Sequence, residues 1–400
     1  MSKKMLGVLF GSRSCEHEVS IISAVQLMRS VNRDKYDVTP IYITQTGEWY
    51  TGDKLMDLSV YNHFDPYQPG LKRVSLDLTA GSGALLHYSR GKGLFKGLTE
   101  EVAARIDCFV PVFHGMHGED GSVQGLLELA NVPYTSTGIV GSAVGMDKIT
   151  MKRFFRGMGY PILQDTACLR SAWQKDREQV MDAVEKALPY PVFVKPASLG
   201  SSIGVSRADD RGQLSEALEL AFQYDRRVLV EKGLDHPLEI NCSVLGFDGE
   251  TETSALEMPL SAGEVLDFAA KYLGGASSSK GMASMGRVLN PDIGEDLSAR
   301  IRALSQDIFT ALDCKGVVRI DYMIDRGTDD FYITEINTIP GSLAFYLWDK
   351  AGVSYAELID RMVACAEKAQ REKDENNFAF HSDILKSVSL GGTKGKLKMG

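Results

Sequence analysis

Apolar and polar positions fall into blocks that predict an alternation of strands and helices. MLGVLFG is a short apolar run closed by Gly, which predicts a buried strand. SRSCEHEVSIISAVQLMRSVN then predicts a loop followed by an amphipathic helix, and YDVTPIYIT a second strand. Strand, helix, strand predicts a parallel sheet with covered faces at the N-terminal end. Residues 48–100 are Gly-rich and weakly patterned. DCFVPVFHG predicts another buried strand, and SVQGLLELAN a helix capped by Asp or Ser at its start and by Asn near its end.

The texture changes near residue 148. DKITMKRFFRGMGY predicts a helix, and YPVFVKPASLGSSIGVSRA two strands joined by a loop of small residues. RVLVEKGL predicts a strand running into a turn, and a third block opens with EINCSVLGF near residue 240. RIRALSQDIFTALD predicts a helix. The stretch GGASSSKGMASMG lacks periodicity and predicts a mobile loop, and the tail beyond about 372 is polar, with its last ten residues expected to be disordered.

GVVRIDYMI and FYITEIN both alternate, and DRGTDD between them is turn chemistry. Folded as a hairpin centred near Thr328, they set Asp321 opposite Glu335 and Arg319 opposite Asn337. Like charges directly opposite are unfavourable. Arg319 offsets one carboxylate, whereas a divalent cation offsets both. Two carboxylates and a carboxamide suit Mg2+, which takes few protein ligands and fills its octahedron with water and phosphate. A solvated strand face with an incidental ion pair fits the same pattern.

A metal–nucleotide site also needs a phosphate cradle. No G-x-x-x-x-G-K-[ST] loop occurs, but KPASLGSSIGVS (195–206) brings Gly200, Ser201, Ser202 and Gly204 behind Lys195. Lys148 is a second candidate cation, and Glu231 in LVEKGL a candidate for the edge of a base. A plain hairpin turn is the bland alternative for the first of these.

Composition narrows the classes. The chain has 400 residues, 44% hydrophobic and 24% charged, with a formal charge of −9. That length predicts two or three domains, and the acidic balance without a basic stripe argues against nucleic acid. Six scattered cysteines form no C-x-x-C pair, and no secretory signal is evident, which predicts reduced thiols in a cytoplasm. No apolar run reaches the about 18 residues of a membrane helix, so no membrane association is expected.

Taken in order, HGEDG…QGLLEL, MDK, VFVKPASLGSSIGVS, VEK, AKY, RIDY and EINTIPG resemble the D-alanine–D-alanine ligases of the ATP-grasp superfamily, over about residues 4–365. The resemblance implies an α/β (α+β) three-domain fold: an N-terminal Rossmann-like parallel sheet over residues 1–142, then two antiparallel-sheet ATP-grasp subdomains, 143–240 and 241–372, clasping ATP, with a polar tail, 373–400. It implies that Asp321, Glu335 and Asn337 hold two Mg2+ ions, with Mn2+ as an alternative. Lys148, Lys195 and Lys271 would bind phosphates, Ser202 would lie with them, and Glu231, Leu234 and Glu239 would surround adenine and ribose. Glu16, Ser201 and Tyr272 match a hydrogen-bonded trio, and Glu16 with Val19 would hold the ammonium of the first D-alanine. His114 would sit near the second substrate, and Arg319 with the Gly341 backbone at the tetrahedral centre. The activity implied is ligation of two D-alanines through a D-alanyl phosphate, for peptidoglycan precursors, by a cytoplasmic homodimer.

One segment departs from the family. After EINTIPG the family continues with a hydroxyl-rich stretch whose Ser helps hold the second carboxylate. Here the chain reads SLAFYLWDK, and Tyr346 falls at that Ser, with Ser342 a substitute nearer Gly341. Acceptors such as D-serine or D-lactate, and a non-catalytic ATP-binding homologue, are therefore alternatives.

Overall fold

The structure is a computed structural model describing residues 2–90, 98–260 and 286–378. Three sheets follow one another along the chain. The first contains β1 (Lys4–Gly11), β2 (Tyr36–Ile43), β3 (Trp49–Thr51), β4 (Lys72–Leu76), β5 (Ala84–Arg90), β6 (Leu98–Arg105) and β7 (Cys108–Pro111), in the order β6-β5-β4-β3-β2-β1-β7. Helix α1 (His17–Ser30) joins β1 to β2. Only β2, β1 and β7 are mutually parallel; from β2 outward the strands are antiparallel. The expected parallel sheet is thus a parallel core with an antiparallel extension. Residues 44–107 carry no α-helix among those described to cover a parallel crossover, and their strands pair antiparallel with their neighbours in the chain. Their half-exposed runs explain the weak sequence pattern.

Helices α2 (Ser122–Leu129), α3 (Ile139–Met146) and α4 (Lys148–Gly157) lead out of this sheet. Gly121 occupies the N-cap of α2, at φ 89°, instead of the expected Asp or Ser side chain. Asp120 still contributes, accepting the Ser122 N–H at 3.0 Å. Asp147 caps α4 by accepting the Thr150 N–H at 2.8 Å.

The second sheet holds β8 (Asp165–Leu169), β9 (Val192–Pro196), β10 (Ser206–Ala208) and β11 (Arg227–Lys232), ordered β10-β9-β11-β8 and antiparallel throughout. Short α5 (Arg170–Lys175) precedes its covering helices, α6 (Arg177–Ala187) and α7 (Arg211–Tyr224), which bury Val184, Leu214 and Leu218 against Val192, Val194 and Val230.

The third sheet is β12 (Leu238–Phe247), β13 (Glu250–Pro259), β14 (Arg287–Leu289), β15 (Gly316–Ile324) and β16 (Phe331–Asn337), ordered β14-β13-β12-β15-β16. One face is apolar: Ile240, Val244, Ile320 and Tyr322 pack on Ile301, Ile308 and Phe309 of α8 (Glu295–Ala311). The other face carries an unusual row. Glu257 pairs with Asn241, Asn241 with Asp321, and Asp321 with Glu335, straight across four strands. Beyond β16 come α9 (Phe345–Lys350) and α10 (Tyr355–Asp374). Leu358, Met362 and Val363 of α10 share one core with Leu6, Val8 and Phe10, so the first and third sheets are packed together.

Gly316 sits at this joint, at φ +76°, where a Cβ would lie 2.0 Å from the Thr135 carbonyl oxygen. We expect Gly316→Ala to destabilise the protein by about 2 kcal/mol or more through left-handed strain and backbone collision, read as a lower urea midpoint.

Candidate active site

The hairpin forms in the register its sequence predicts. Arg319 lies opposite Asn337 and Asp321 opposite Glu335; a bulge follows Asp321, displacing Thr334. Arg319 grips Asp321 with two N–H donors, Nε and Nη2, each at 2.7 Å, and Asn337 Nδ2 donates to Asp321 Oδ2 at 3.0 Å. Lys148 Nζ stands 3.5 Å from Glu335. Burial lowers the Arg319 pKa, but Asp321 outweighs it, and the guanidinium is held charged well above its ordinary range.

Among the described residues no cluster of three or more His, Cys, Asp and Glu is arranged as a ligand set. The hairpin offers instead two carboxylates and a carboxamide on one face. An oxygen-only set this small, already needing cations to offset facing carboxylates, fits Mg2+ shared with waters and phosphates.

A cavity of about 700 Å3 opens between the second and third sheets. Its wall includes Lys148, Lys195, Ser202, Asp321 and Glu335, together with Glu231, Leu234 and Glu239. Eight residues predicted for nucleotide, phosphate and metal therefore meet around one space. Lys148 also donates to the Leu199 carbonyl at 2.7 Å, tying the start of α4 to the glycine-rich loop.

Glu231 is engaged more heavily than predicted. Lys195 meets Glu231 Oε1, and Lys152 stands 2.6 Å from Oε2. Lys152 is fully buried and also donates to the Leu163 carbonyl at 3.1 Å. Burial alone raises the Glu231 pKa, but Lys152 and Lys195 overcome it and bring it down to about 2. Lys152 was missed in the sequence. Its one signal is spacing: it follows Lys148 by one helical turn of α4 and shares its face.

The N-terminal sheet reaches into the site through Glu16 and His114. Ser201 Oγ donates to Glu16 Oε1, joining the glycine-rich loop to the start of α1. A Cβ at Gly115 would lie 2.6 Å from Glu16 Oε2, and one at Gly200 2.9 Å, so a side chain at either position would push the Glu16 carboxylate aside. Lys271 and Tyr272 lie outside the described residues.

His114 is buried, and burial pushes its pKa down to about 4. Its Nδ1 lies 3.1 Å from the Ile339 carbonyl, an acceptor, so Nδ1 carries the proton. Its Nε2 then accepts from Ser23 Oγ at 2.9 Å, and Ser23 Oγ in turn accepts the Ser342 N–H at 3.2 Å. This chain fixes the segment after Gly341. Ser342, Leu343 and Ala344 all adopt left-handed backbone, at φ 49°, 55° and 51°. The Ser342 hydroxyl donates to Gln26 Oε1 at 2.9 Å.

Glu119, within HGEDG, is a further residue left unassigned by sequence. Its Oε1 accepts the Ile339 N–H at 2.9 Å and its Oε2 the Gly115 N–H at 2.8 Å. It thereby clamps both loops that border the site.

Comparison with known proteins places these features. The D-ala D-ala ligase N-terminus profile matches residues 5–137, and the D-ala D-ala ligase C-terminus profile matches 154–364. The chain belongs to the D-alanine–D-alanine ligase family. It is 38% identical over 378 residues to the D-alanine–D-alanine ligase of Acetivibrio thermocellus, covering 93% of this chain and 97% of that one. It is 36% identical over 384 residues to that of Natranaerobius thermophilus, covering 95% and 99%. Among solved structures, the D-alanine–D-alanine ligase of Coxiella burnetii superposes with a TM-score of 0.74 at 25% identity, covering 94% of this chain and 97% of that one. The VanG D-Ala:D-Ser ligase of Enterococcus faecalis does so with a TM-score of 0.74 at 27% identity, covering 91% and 100%.

Burial, aided by Glu16, pushes the Glu119 pKa from its ordinary 4.5 up to about 8, against the two N–H donors. Between those values the folded chain holds a proton that the unfolded chain has lost, so this group's contribution to stability falls as pH rises from about 4.5 to 8. Glu119→Gln should remove that slope. Urea titrations of both proteins across the window check it; parallel pH profiles would contradict it.

Proposed function

We propose that this protein joins two D-alanines at the expense of ATP, through a D-alanyl phosphate. The observation that carries the reading is the meeting of Lys148, Lys195, Asp321 and Glu335 around one cavity. A carboxylate is a poor acceptor for an amine, and phosphorylation supplies the leaving group. Lys148 and Lys195 would neutralise the phosphates, with Lys271 joining them. Asp321, Glu335 and Asn337 would hold two Mg2+ ions, which supply charge neutralisation of the transferring group when bound.

Glu16 would receive the ammonium of the first D-alanine, and its bond to Ser201 brings the glycine-rich loop over the nucleotide. Arg319 is aimed by Asp321 and would, with the Gly341 N–H, stabilise the oxyanion as the second amine attacks. Glu231 would serve the adenine end through the position of its two lysines, with Leu234 and Glu239 beside it. His114, neutral at physiological pH, would position the Gly341 segment and carry no charge into the site. Water exclusion matters because an acyl phosphate hydrolyses readily.

We further propose a division into residues 1–142, 143–240 and 241–372, with the product serving peptidoglycan precursor synthesis in the cytoplasm and the protein acting as a homodimer. Among the described residues no helix is long and apolar enough to cross a membrane. A second reading, the same chemistry with another acceptor such as D-serine, is favoured by Tyr346 at the expected Ser.

Purified protein with Mg·ATP and D-alanine should release phosphate and D-alanyl-D-alanine in equal amounts. Phosphate release that requires a different acceptor would move the specificity. Nucleotide binding without turnover on any acceptor would sink the enzymatic reading. Asp321→Asn should lower kcat by about 100-fold or more, since one such charge-stabilising group is worth about 3 kcal/mol.

A further inference from the structure

Lys152 is a buried charge that the roles above leave unused. It lies on α4, is fully buried, and stands behind the cavity wall instead of forming part of it. Taking an ammonium out of water is unfavourable, so a core lysine persists only where charge and hydrogen bonds hold it. Its Nζ stands 2.6 Å from Glu231 Oε2, donates to the Leu163 carbonyl at 3.1 Å, and has Asp165 at 3.9 Å. Asp165 is itself paired with Arg156, whose side chain is half exposed. Glu231 is therefore the carboxylate that Lys152 answers.

The arrangement around Glu231 has a direction. Lys195 meets Oε1 and Lys152 meets Oε2, so the carboxylate is divided between two ammonium groups. Lys195 belongs to the cavity wall, and Lys152 approaches from the interior. A buried carboxylate left with Lys195 alone would satisfy both oxygens on that one ammonium, because no solvent reaches it. Lys195 would then be drawn onto Glu231, with its charge cancelled and its donors turned from the cavity. Lys152 prevents this by holding the second oxygen. An ammonium has three N–H donors, and among the described residues Glu231 takes one from Lys195, so Lys195 can hold Glu231 and a phosphate oxygen together.

We propose that Lys152 is a positioning residue for nucleotide binding: by occupying Glu231 Oε2 from behind, it keeps Lys195 available to the phosphates of the nucleotide. Lys152 touches no substrate and acts through Glu231. This rests on the nucleotide reading of the cavity, and the two can fail separately. Its removal matters only while Glu231 is there to capture Lys195, a dependence that a merely structural lysine would not show.

The test is a double-mutant cycle on the full chain, with the Kd of Mg·ATP read by calorimetry. We expect Lys152→Met to weaken Mg·ATP binding about tenfold in the native background, and to change it by no more than about twofold when Glu231→Gln is already present. Because Lys152→Met leaves Glu231 buried with a single cation and risks misfolding, Lys152→Gln is made alongside it. That variant lifts the charge but keeps a donor for the Leu163 carbonyl, and should show the same dependence on Glu231. Unchanged affinity in the native background overturns the assignment, and so does an equal loss in both backgrounds. In the Glu231→Gln background alone, a loss of about tenfold is enough to reject it. Wild type that binds no Mg·ATP would instead overturn the nucleotide reading, and this proposal with it.

Discussion

The structure depends on a problem of charge. Four polar side chains, Glu257, Asn241, Asp321 and Glu335, stand in one row across four strands of a largely buried sheet face. Three of them are carboxylates, and buried carboxylates are tolerated only with cations or strong donors beside them. The surrounding architecture is the answer to that demand. Arg287 comes from the edge strand to Glu257, Arg319 from the same strand to Asp321, and Lys148 from the start of α4 to Glu335. Two of the cations arrive from other elements, so neutralising the row also ties β14 to β13 and α4 to β16. The site is assembled by the same forces that make the sheet affordable.

The second sheet repeats the solution with its own carboxylate. Glu231 lies between Lys152 and Lys195, and the pair of lysines links α4 to the β9 strand that enters the glycine-rich loop. Helix α4 thus serves both sheets, presenting Lys148 to one and Lys152 to the other. On the function proposed, a nucleotide entering between the sheets would meet cations already positioned by protein carboxylates, which is preorganisation in its plainest electrostatic form.

Much of this was legible in the sequence for identifiable reasons. The hairpin register followed because DRGTDD can only be a turn and both flanking runs alternate cleanly; the bulge at Thr334 falls after the functional pair and leaves it undisturbed. The mixed character of the first sheet was not legible, because β3 and β4 are short and β5 and β6 are half exposed. Lys152 was hidden for another reason: a lysine on an amphipathic helix ordinarily faces water, and only the third dimension shows the carboxylate that draws it inside. The meeting of Arg287, Glu257 and Tyr346 depends on sheet order and on where α9 lands, neither of which is written in any local pattern.

The left-handed run from Ser342 to Ala344 has a mechanical meaning. A chain held in a sparsely populated basin, with all three side chains buried and its amides tied to Ser23 and Pro340, has no neighbouring conformation of similar energy to visit. That segment is a rigid support for the Ile339 turn and the start of α9. On the opposite side the glycine-rich segment is held by side-chain contacts instead, Ser201 on Glu16 and Lys148 on the Leu199 carbonyl, which can be made and broken without moving a strained backbone.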